Sequence, residues 1–330
     1  LLLLFFLVLP IFLPEGFPAH PHSGFDTLTY CLEGGLKHRD SEGLAMAYGG
    51  GDAQWMRAGR GTIHEEMWDV DRGQGEHFQK IELFQIWIDL PPEKKTSSPK
   101  THLLEAASIP SLVCAATGSS VKAITGSVSG TGTDGPLCIQ GPGSSRRIAL
   151  TPMHILHVRV PAGETLDVTL EKNDVVCADI NTGPGANADT DGAHTSLCAF
   201  IYVAEGAISD PVSGVECNYG ESMSQLWSNP FSSPPSLSTV TPGAGTPPQP
   251  QPQTQTQTQT QTQPLIRLAA KTGGVDLSVL VLIGAGVTDG RGVKSGPFVA
   301  KSAQSLFQIQ RAFGRVNERG GFWDPSVSDR

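Results

Sequence analysis

Two residue pairs at matching spacing are the chemically suggestive feature of this sequence. His20 and His22 flank Pro21, and His64 and Glu66 flank Glu65. Residues i and i+2 of a strand project to one face. Two such pairs on separate strands can bring three imidazole nitrogens and one carboxylate oxygen to a common point. Neutral imidazole and carboxylate suit Fe(II), Mn(II), Ni(II) or Zn(II). Four protein ligands on an octahedral ion leave two positions open for O2 or a chelating substrate. A closed structural zinc site more often uses thiolates, and no cysteine lies in either motif, so iron leads. Such a metal holds substrate and O2 together and exchanges electrons with them. Glu66 is also the candidate catalytic base for a substrate hydroxyl.

Neighbouring residues are weaker candidates. Glu65 points away from Glu66 on a regular strand. Asp26, four residues past His22, shares its face only if the strand continues unbroken. It reads either as a ligand or as an acceptor that holds an imidazole tautomer. Tyr30 and Trp55 read as core aromatics. His154 and His157 are three apart and face opposite sides of a strand. His38, His77, His102 and His194 lack ligand-spaced partners, so no second metal site is expected in the C-terminal half. Neither a G-x-S-x-G nucleophile elbow nor a G-x-x-x-x-G-K-[ST] phosphate loop occurs.

The elements that must position these residues are strands. The chain has 330 residues, with 38 Gly and 25 Pro, which favours turn-rich β structure over long helices. Thr27 to Leu32, Leu36 to Asp40, the stretch leading into His64, and Leu83 to Leu90 read as short strands separated by turn signals such as Glu33-Gly34-Gly35 and Gly49-Gly50-Gly51-Asp52. Such strands at close spacing indicate an all-β sandwich or barrel. In the second half, Arg147 to Leu150, His154 to Val160, Leu166 to Leu170 and Val275 to Gly284 are strand candidates. Ala199 to Ala207 echoes Leu28 to Gly34, an apolar strand closed by Glu-Gly, and hints at internal duplication. Ser302 to Val316 has apolar residues at helical spacing and reads as one amphipathic helix packed on a sheet.

Some segments have other characters. Residues 228–264 run through Ser-Pro clusters into alternating Gln-Thr and are expected to be a disordered insertion, with Asn181 to Gly192 a further loop. Leu1 to Leu13 is almost wholly apolar, too short to span a bilayer, and lacks the basic region of a signal peptide. It is expected to be a buried first strand, or sequence foreign to the fold, ahead of a targeting role. The net charge of −9 argues against a general nucleic-acid binder. Six dilute cysteines without a C-x-x-C pair read as reduced thiols, which suits a cytoplasmic or nuclear protein.

The motifs FPAHPHSGFDTLTYCLEGGLKHRDS and GDAQWMRAGRGTIHEEM, with QIWIDLP after them, resemble the pirin family of the cupin superfamily. A shorter C-terminal echo is Ser295-Gly296-Pro297-Phe298-Val299. The resemblance is close over residues 17–91 and loose beyond. It implies two tandem cupin barrels with a short C-terminal helix: residues 1–120 holding the metal site and 121–330 a metal-free barrel carrying the insertion. It places the family's metal ligands on His20, His22, His64 and Glu66, with Fe(II) the usual ion. It also implies one of two activities: a dioxygenase that cleaves a flavonol such as quercetin with O2, or an iron-dependent nuclear co-regulator that binds transcription-factor complexes. A monomer without membrane or direct nucleic-acid contact is expected. Departures are Ser23 where the family commonly has Arg, Asp26 where Glu is usual, and LLLLFFLVLP in place of the usual leading segment.

Overall fold

The computed structural model describes residues 2–9, 16–69, 81–132, 135–140, 148, 150–151, 153–170, 196–209, 216–218, 222–227, 238–239, 265–286 and 292–318. Strands dominate, and the chain divides into two units. Unit 1 comprises Leu1–Ser108, Arg146–Thr151 and Asp289–Arg330; unit 2 comprises Ile109–Ser145 and Pro152–Thr288. A single boundary near residue 120 was expected. The structure instead breaks at 108/109 and returns the C-terminal segment to unit 1.

Unit 1 contains β1 (Leu2–Leu9), β2 (Gly16–His22), β3 (Phe25–Glu33), β4 (Gly35–Asp40), β5 (Ala45–Gly49), β6 (Ala53–Arg57), β7 (Thr62–Trp68), β8 (Ile81–Asp89) and β9 (Lys100–Leu104). They form two sheets, ordered β1-β8-β3-β6-β9 and β2-β7-β4-β5. The leading apolar run does form a strand, pairing antiparallel with β8 from Leu2↔Ile88 to Leu9↔Ile81. Along β7, Thr62, Ile63, His64 and Glu66 are buried; His64 and Glu66, two apart, share a face, and this central strand carries half the candidate ligands. Away from them, Cys31, Leu36, Tyr48 and Leu83 form an apolar cluster.

Unit 2 contains β10 (Ser111–Val113), β11 (Ser120–Thr125), β12 (Ser127–Gly132), β13 (Gly135–Gln140), β14 (Met153–Val160), β15 (Thr165–Leu170), β16 (Ser196–Glu205), β17 (Ala207–Ser209), β18 (Glu216–Asn218), β19 (Ser222–Trp227), β20 (Ser238–Thr239), β21 (Leu265–Ala270) and β22 (Leu277–Gly286). Its sheets run β10-β11-β14-β22-β16-β19-β20 and β13-β12-β15-β21-β17-β18. The stretch β22-β16-β19 repeats β8-β3-β6, and β15-β21-β17-β18 repeats β2-β7-β4-β5. The echo seen in sequence has a backbone counterpart. β3 and β16 each carry a register shift just before their closing Glu, at Cys31/Glu33 and at Val203/Glu205. Each is followed by a glycine at positive φ, Gly34 and Gly206. The interior of unit 2 is aliphatic, built by Val158, Val168, Ile201, Ile266, Leu268, Val281 and their neighbours.

Not every expected element forms. Ile148 and Leu150, expected within a strand, lie in a turn and a bend. The loop expected at 181–192 lies outside the described residues, as does most of 228–264. Within the latter, Ser238–Thr239 pairs with Met223 and Ser224.

The last elements are β23 (Val293–Ser295), β24 (Phe298–Ala300) and α1 (Ala303–Glu318). α1 packs Leu306, Ile309 and Phe313 with Phe298 and Ala300, as its periodicity predicts. The Ser295 to Val299 segment seals the end of β2. The Ser23 amide donates to the Pro297 carbonyl at 3.3 Å, and the Val299 amide to the Ser23 carbonyl at 2.8 Å. Gly24 is required at this junction: its φ is +86°, and a Cβ there would lie 1.7 Å from the Val299 oxygen. Gly24→Ala should therefore lower the unfolding free energy by more than about 2 kcal/mol, combining left-handed strain with the clash. Urea denaturation checks this; an unchanged midpoint would mean that the C-terminal strand does not press on residue 24.

Candidate metal centre

β7 lies between β2 and β4, so its residues meet side chains from both. His20 stands opposite His64 on one side and Asp40 opposite His64 on the other; His38 stands opposite Glu66. The β2–β7 register slips between Phe17 and His20, where Pro18 and Ala19 together face Glu65. Pro18 has no amide hydrogen to offer a ladder, so a bulge suits it. The bulge turns the Pro18 carbonyl to His20, whose Nδ1 donates to it at 2.8 Å.

The three predicted histidines converge. The His20 ring centroid lies 4.7 Å from that of His22 and 4.4 Å from that of His64, and His22 and His64 are 5.0 Å apart. The Nε2 atoms of His20 and His64 are 3.0 Å apart. His22 is buried, and neither of its ring nitrogens makes a hydrogen bond of acceptable geometry. Burial, reinforced by the electrostatic effect of the neighbouring His20, drives its pKa down to about 3, against a smaller opposing pull from the Pro297 carbonyl. Burial also holds His64 well below the ordinary histidine range, with His22, His20 and His38 adding to the shift. A buried imidazole kept neutral and left without a partner is what a metal ligand looks like before binding.

Glu66 is buried and held by three side-chain donors. Its Oε1 accepts from Thr29 Oγ1 and Tyr48 Oη, each at 3.1 Å, and its Oε2 from Gln85 Nε2 at 2.7 Å. Ligand atoms fall into two compact groups that share His64: His20, His22 and His64, and His38, His64 and Glu66. The structure therefore brings the three histidines together, while Glu66 groups with His38 and His64 and is turned toward its hydrogen-bond donors. Both groups lie in unit 1.

Register also defines the facing wall. Thr29 pairs with Gln85 and Gln54, and Thr27 with Trp87 and Met56, so these side chains share one face. Gln54 and Thr27 are buried and make no side-chain hydrogen bond among the described residues. Phe25 and Trp87 stack at 4.6 Å beside His22, and Lys294 Nζ lies 5.2 Å above the Trp87 ring.

Other expectations resolve differently. Glu65 faces away and pairs with Arg39, as expected. Tyr30 and Trp55 are buried. Asp26 lies on the opposite face of β3 from Thr27, where Trp55 Nε1 donates to it at 2.8 Å and Arg57 Nε stands 3.4 Å away; it takes no part in the cluster. His38 was set aside for want of a ligand-spaced partner, and the structure corrects this. It lies 3.4 Å from His64, Nδ1 to Nδ1, and 3.3 Å from Asp40 through Nε2. The signal was present as His38-x-Asp40, the same i, i+2 spacing. His77 and His194 lie outside the described residues.

A pirin family model matches residues 10–88. Pirin-1 of Arabidopsis thaliana is 32% identical over 218 residues, which cover 62% of this chain and 71% of that protein. The chain belongs to the pirin family. A second relative, the pirin-like protein of Caulobacter vibrioides, is 43% identical over 122 residues, and the match spans 37% of this chain but only 41% of that one. Among solved structures, quercetin 2,3-dioxygenase from Acinetobacter baumannii aligns over 97% of this chain and 84% of its own with a TM-score of 0.63. At 20% identity that likeness speaks to fold, and it matches the two-barrel cupin architecture of this pirin. Among the described residues no helix is long and apolar enough to cross a membrane.

Asp26 generates a pH prediction independent of any metal. Burial raises its pKa from 3.8 to about 6, although Arg57 and Trp55 pull the other way. The folded state thus holds this proton more tightly than the unfolded chain, and stability from this group is lost as pH rises from 3.8 through 6. Relative to the parent chain, Asp26→Asn should gain about 2 to 3 kcal/mol between pH 4 and pH 7. Urea unfolding of both proteins at the two pH values checks the sign and size.

Proposed function

We propose that unit 1 is a non-haem iron centre with His20, His22, His64 and Glu66 as ligands, and that it serves a dioxygenase acting on a flavonol of the quercetin type. The observation that carries this is the convergence of three imidazoles, two with Nε2 atoms 3.0 Å apart and the third with no hydrogen bond of its own. Such an arrangement fits a cation between the rings. Three nitrogens and one carboxylate suit Fe(II), with other divalent transition metals accepted by the same donors. A bound ferrous ion would supply a Lewis-acidic, redox-active point at which a chelating substrate and O2 meet.

The chain's own residues have distinct tasks in this reading. Thr29, Tyr48 and Gln85 orient the Glu66 carboxylate, which spares the ordering cost at binding. Glu66 Oε2 keeps an acceptor position beyond the Gln85 bond and takes the proton of the flavonol hydroxyl. The Phe25–Trp87 stack offers an apolar face to a planar ring system. The unpartnered amide of Gln54 and hydroxyl of Thr27 offer donors and acceptors to substrate oxygens or bridging water. The name of the Acinetobacter structure supports this choice of substrate.

Fe(II)-loaded protein should consume O2 when quercetin is added. His64→Ala should lose both the metal and this turnover. Oxygen-electrode traces with metal analysis of the same samples test it: turnover no faster than the His64→Ala control would sink the dioxygenase reading, and a metal-free parent protein would sink the centre itself.

A further inference from the structure

We propose that Asp40 and His38 form a positioning relay that fixes the tautomer of His64 and aims its Nε2 lone pair at the metal. The inference rests on His64 being a ligand, as read above. One end of the relay has a fixed role. The Asp40 carboxylate is acceptor-only: Oδ1 takes the amides of Glu42 and Leu44 at 3.0 and 3.1 Å, and Oδ2 takes the Thr101 hydroxyl at 2.9 Å. The His38 Nε2 at 3.3 Å from Oδ2 must therefore carry the hydrogen. In the proposed relay that is the ring's one proton, so His38 Nδ1 is the acceptor and the His64 Nδ1 at 3.4 Å is the group that donates to it. A neutral ring protonated at Nδ1 presents a bare lone pair at Nε2.

The other end is fixed independently. The Pro18 carbonyl accepts from His20 Nδ1, so a His20 ring with its one proton there also presents a bare Nε2. The two lone pairs meet at 3.0 Å. The opposite tautomer of His64 would donate to His20 and close the gap with an ordinary hydrogen bond, but it would turn a lone pair of His38 against the Asp40 carboxylate. Asp40 thus selects the ligating form over the self-satisfied one. The relay also assigns His38: its Nδ1 is used by His64, so it positions a ligand and is not one, although its ring lies within ligand distance of His64 and Glu66.

Asp40→Asn keeps a carbonyl oxygen for the Glu42–Leu44 turn and places an amide donor beside His38. The relay then runs in reverse, and His64 becomes the Nε2–H tautomer. Two measurements on the full chain test this. In the metal-free protein, ¹⁵N-edited spectra of the histidine rings should show His64 protonated at Nδ1 in the parent and shifted to Nε2 in Asp40→Asn. In anaerobic Fe(II) titrations against a chromophoric chelator, Asp40→Asn and His38→Leu should each bind about 10- to 100-fold more weakly than the parent. His38→Asn, whose amide oxygen can accept near the place of Nδ1, should recover most of the loss. An Nε2-protonated His64 in the parent, or parental Fe(II) affinity in both Asp40→Asn and His38→Leu, overturns the relay. If the parent binds no Fe(II), the ligand reading fails, and the tautomer spectra still decide whether the relay exists.

Discussion

Buried imidazole nitrogens must be satisfied, and the first barrel is built around a set that the protein itself leaves open. His64 stands at the crossing: β2 brings His20 to one side of it and β4 brings His38 and Asp40 to the other. In the proposed relay the hydrogen bonds around it run outward, to Pro18 at one end and to Asp40 at the other. The His22 nitrogens make no hydrogen bond, and the proposed tautomers leave the Nε2 atoms of His20 and His64 as lone pairs beside them. Such an arrangement costs stability in the free protein, since each orphaned buried polar atom carries a penalty of about 1–3 kcal/mol. Barrels hold it because the strands on either side are fixed by their own ladders.

The backbone devices that allow this are local and cheap. One extra residue in β2, placed where proline cannot join a ladder, turns a carbonyl onto His20. Gly24 lets the chain turn under Val299, and the C-terminal segment then hydrogen-bonds across Ser23. The Lys95 ammonium, buried in an ion pair with Asp89, donates to the Gly24 carbonyl and ties the same turn from a third direction. Ser23 carries no charge, so this end of the site is closed by main-chain pairing and by the Lys294–Trp87 contact.

The convergence of the three histidines was legible because the period of a strand converts sequence spacing directly into a shared face. For Asp26 the shared face depended on the strand running on past His22; β2 ends there, and the turn at Gly24 starts β3 with its own facing. His38 and Asp40 were missed for a related reason. A His-x-Asp pair gains meaning only when its strand is placed next to a ligand strand, and cross-strand register is not written in local spacing. The membership of the C-terminal segment in unit 1 was equally hidden, because a short hairpin and an amphipathic helix do not state which sheet they will cover. The echo of Leu28 to Gly34 in Ala199 to Ala207 was a better guide than its length suggested, because the register shift and glycine that close each strand are fixed by backbone geometry.

That duplication makes the two barrels a comparison within one chain. β21 takes the place of β7 in the repeated order, and where β7 carries His64 and Glu66 toward the interior, β21 buries Ile266 and Leu268. A fully buried aliphatic side chain of this size contributes about 2 kcal/mol, whereas the buried imidazoles and carboxylate of unit 1 contribute only when paired. The same topology is thus filled in two ways: an aliphatic interior that stabilises its barrel outright, and a polar one whose unpaired nitrogens are paid for by the ladders around them. A local rule broken at one barrel and kept at its twin is where sequence physics points to function rather than to folding.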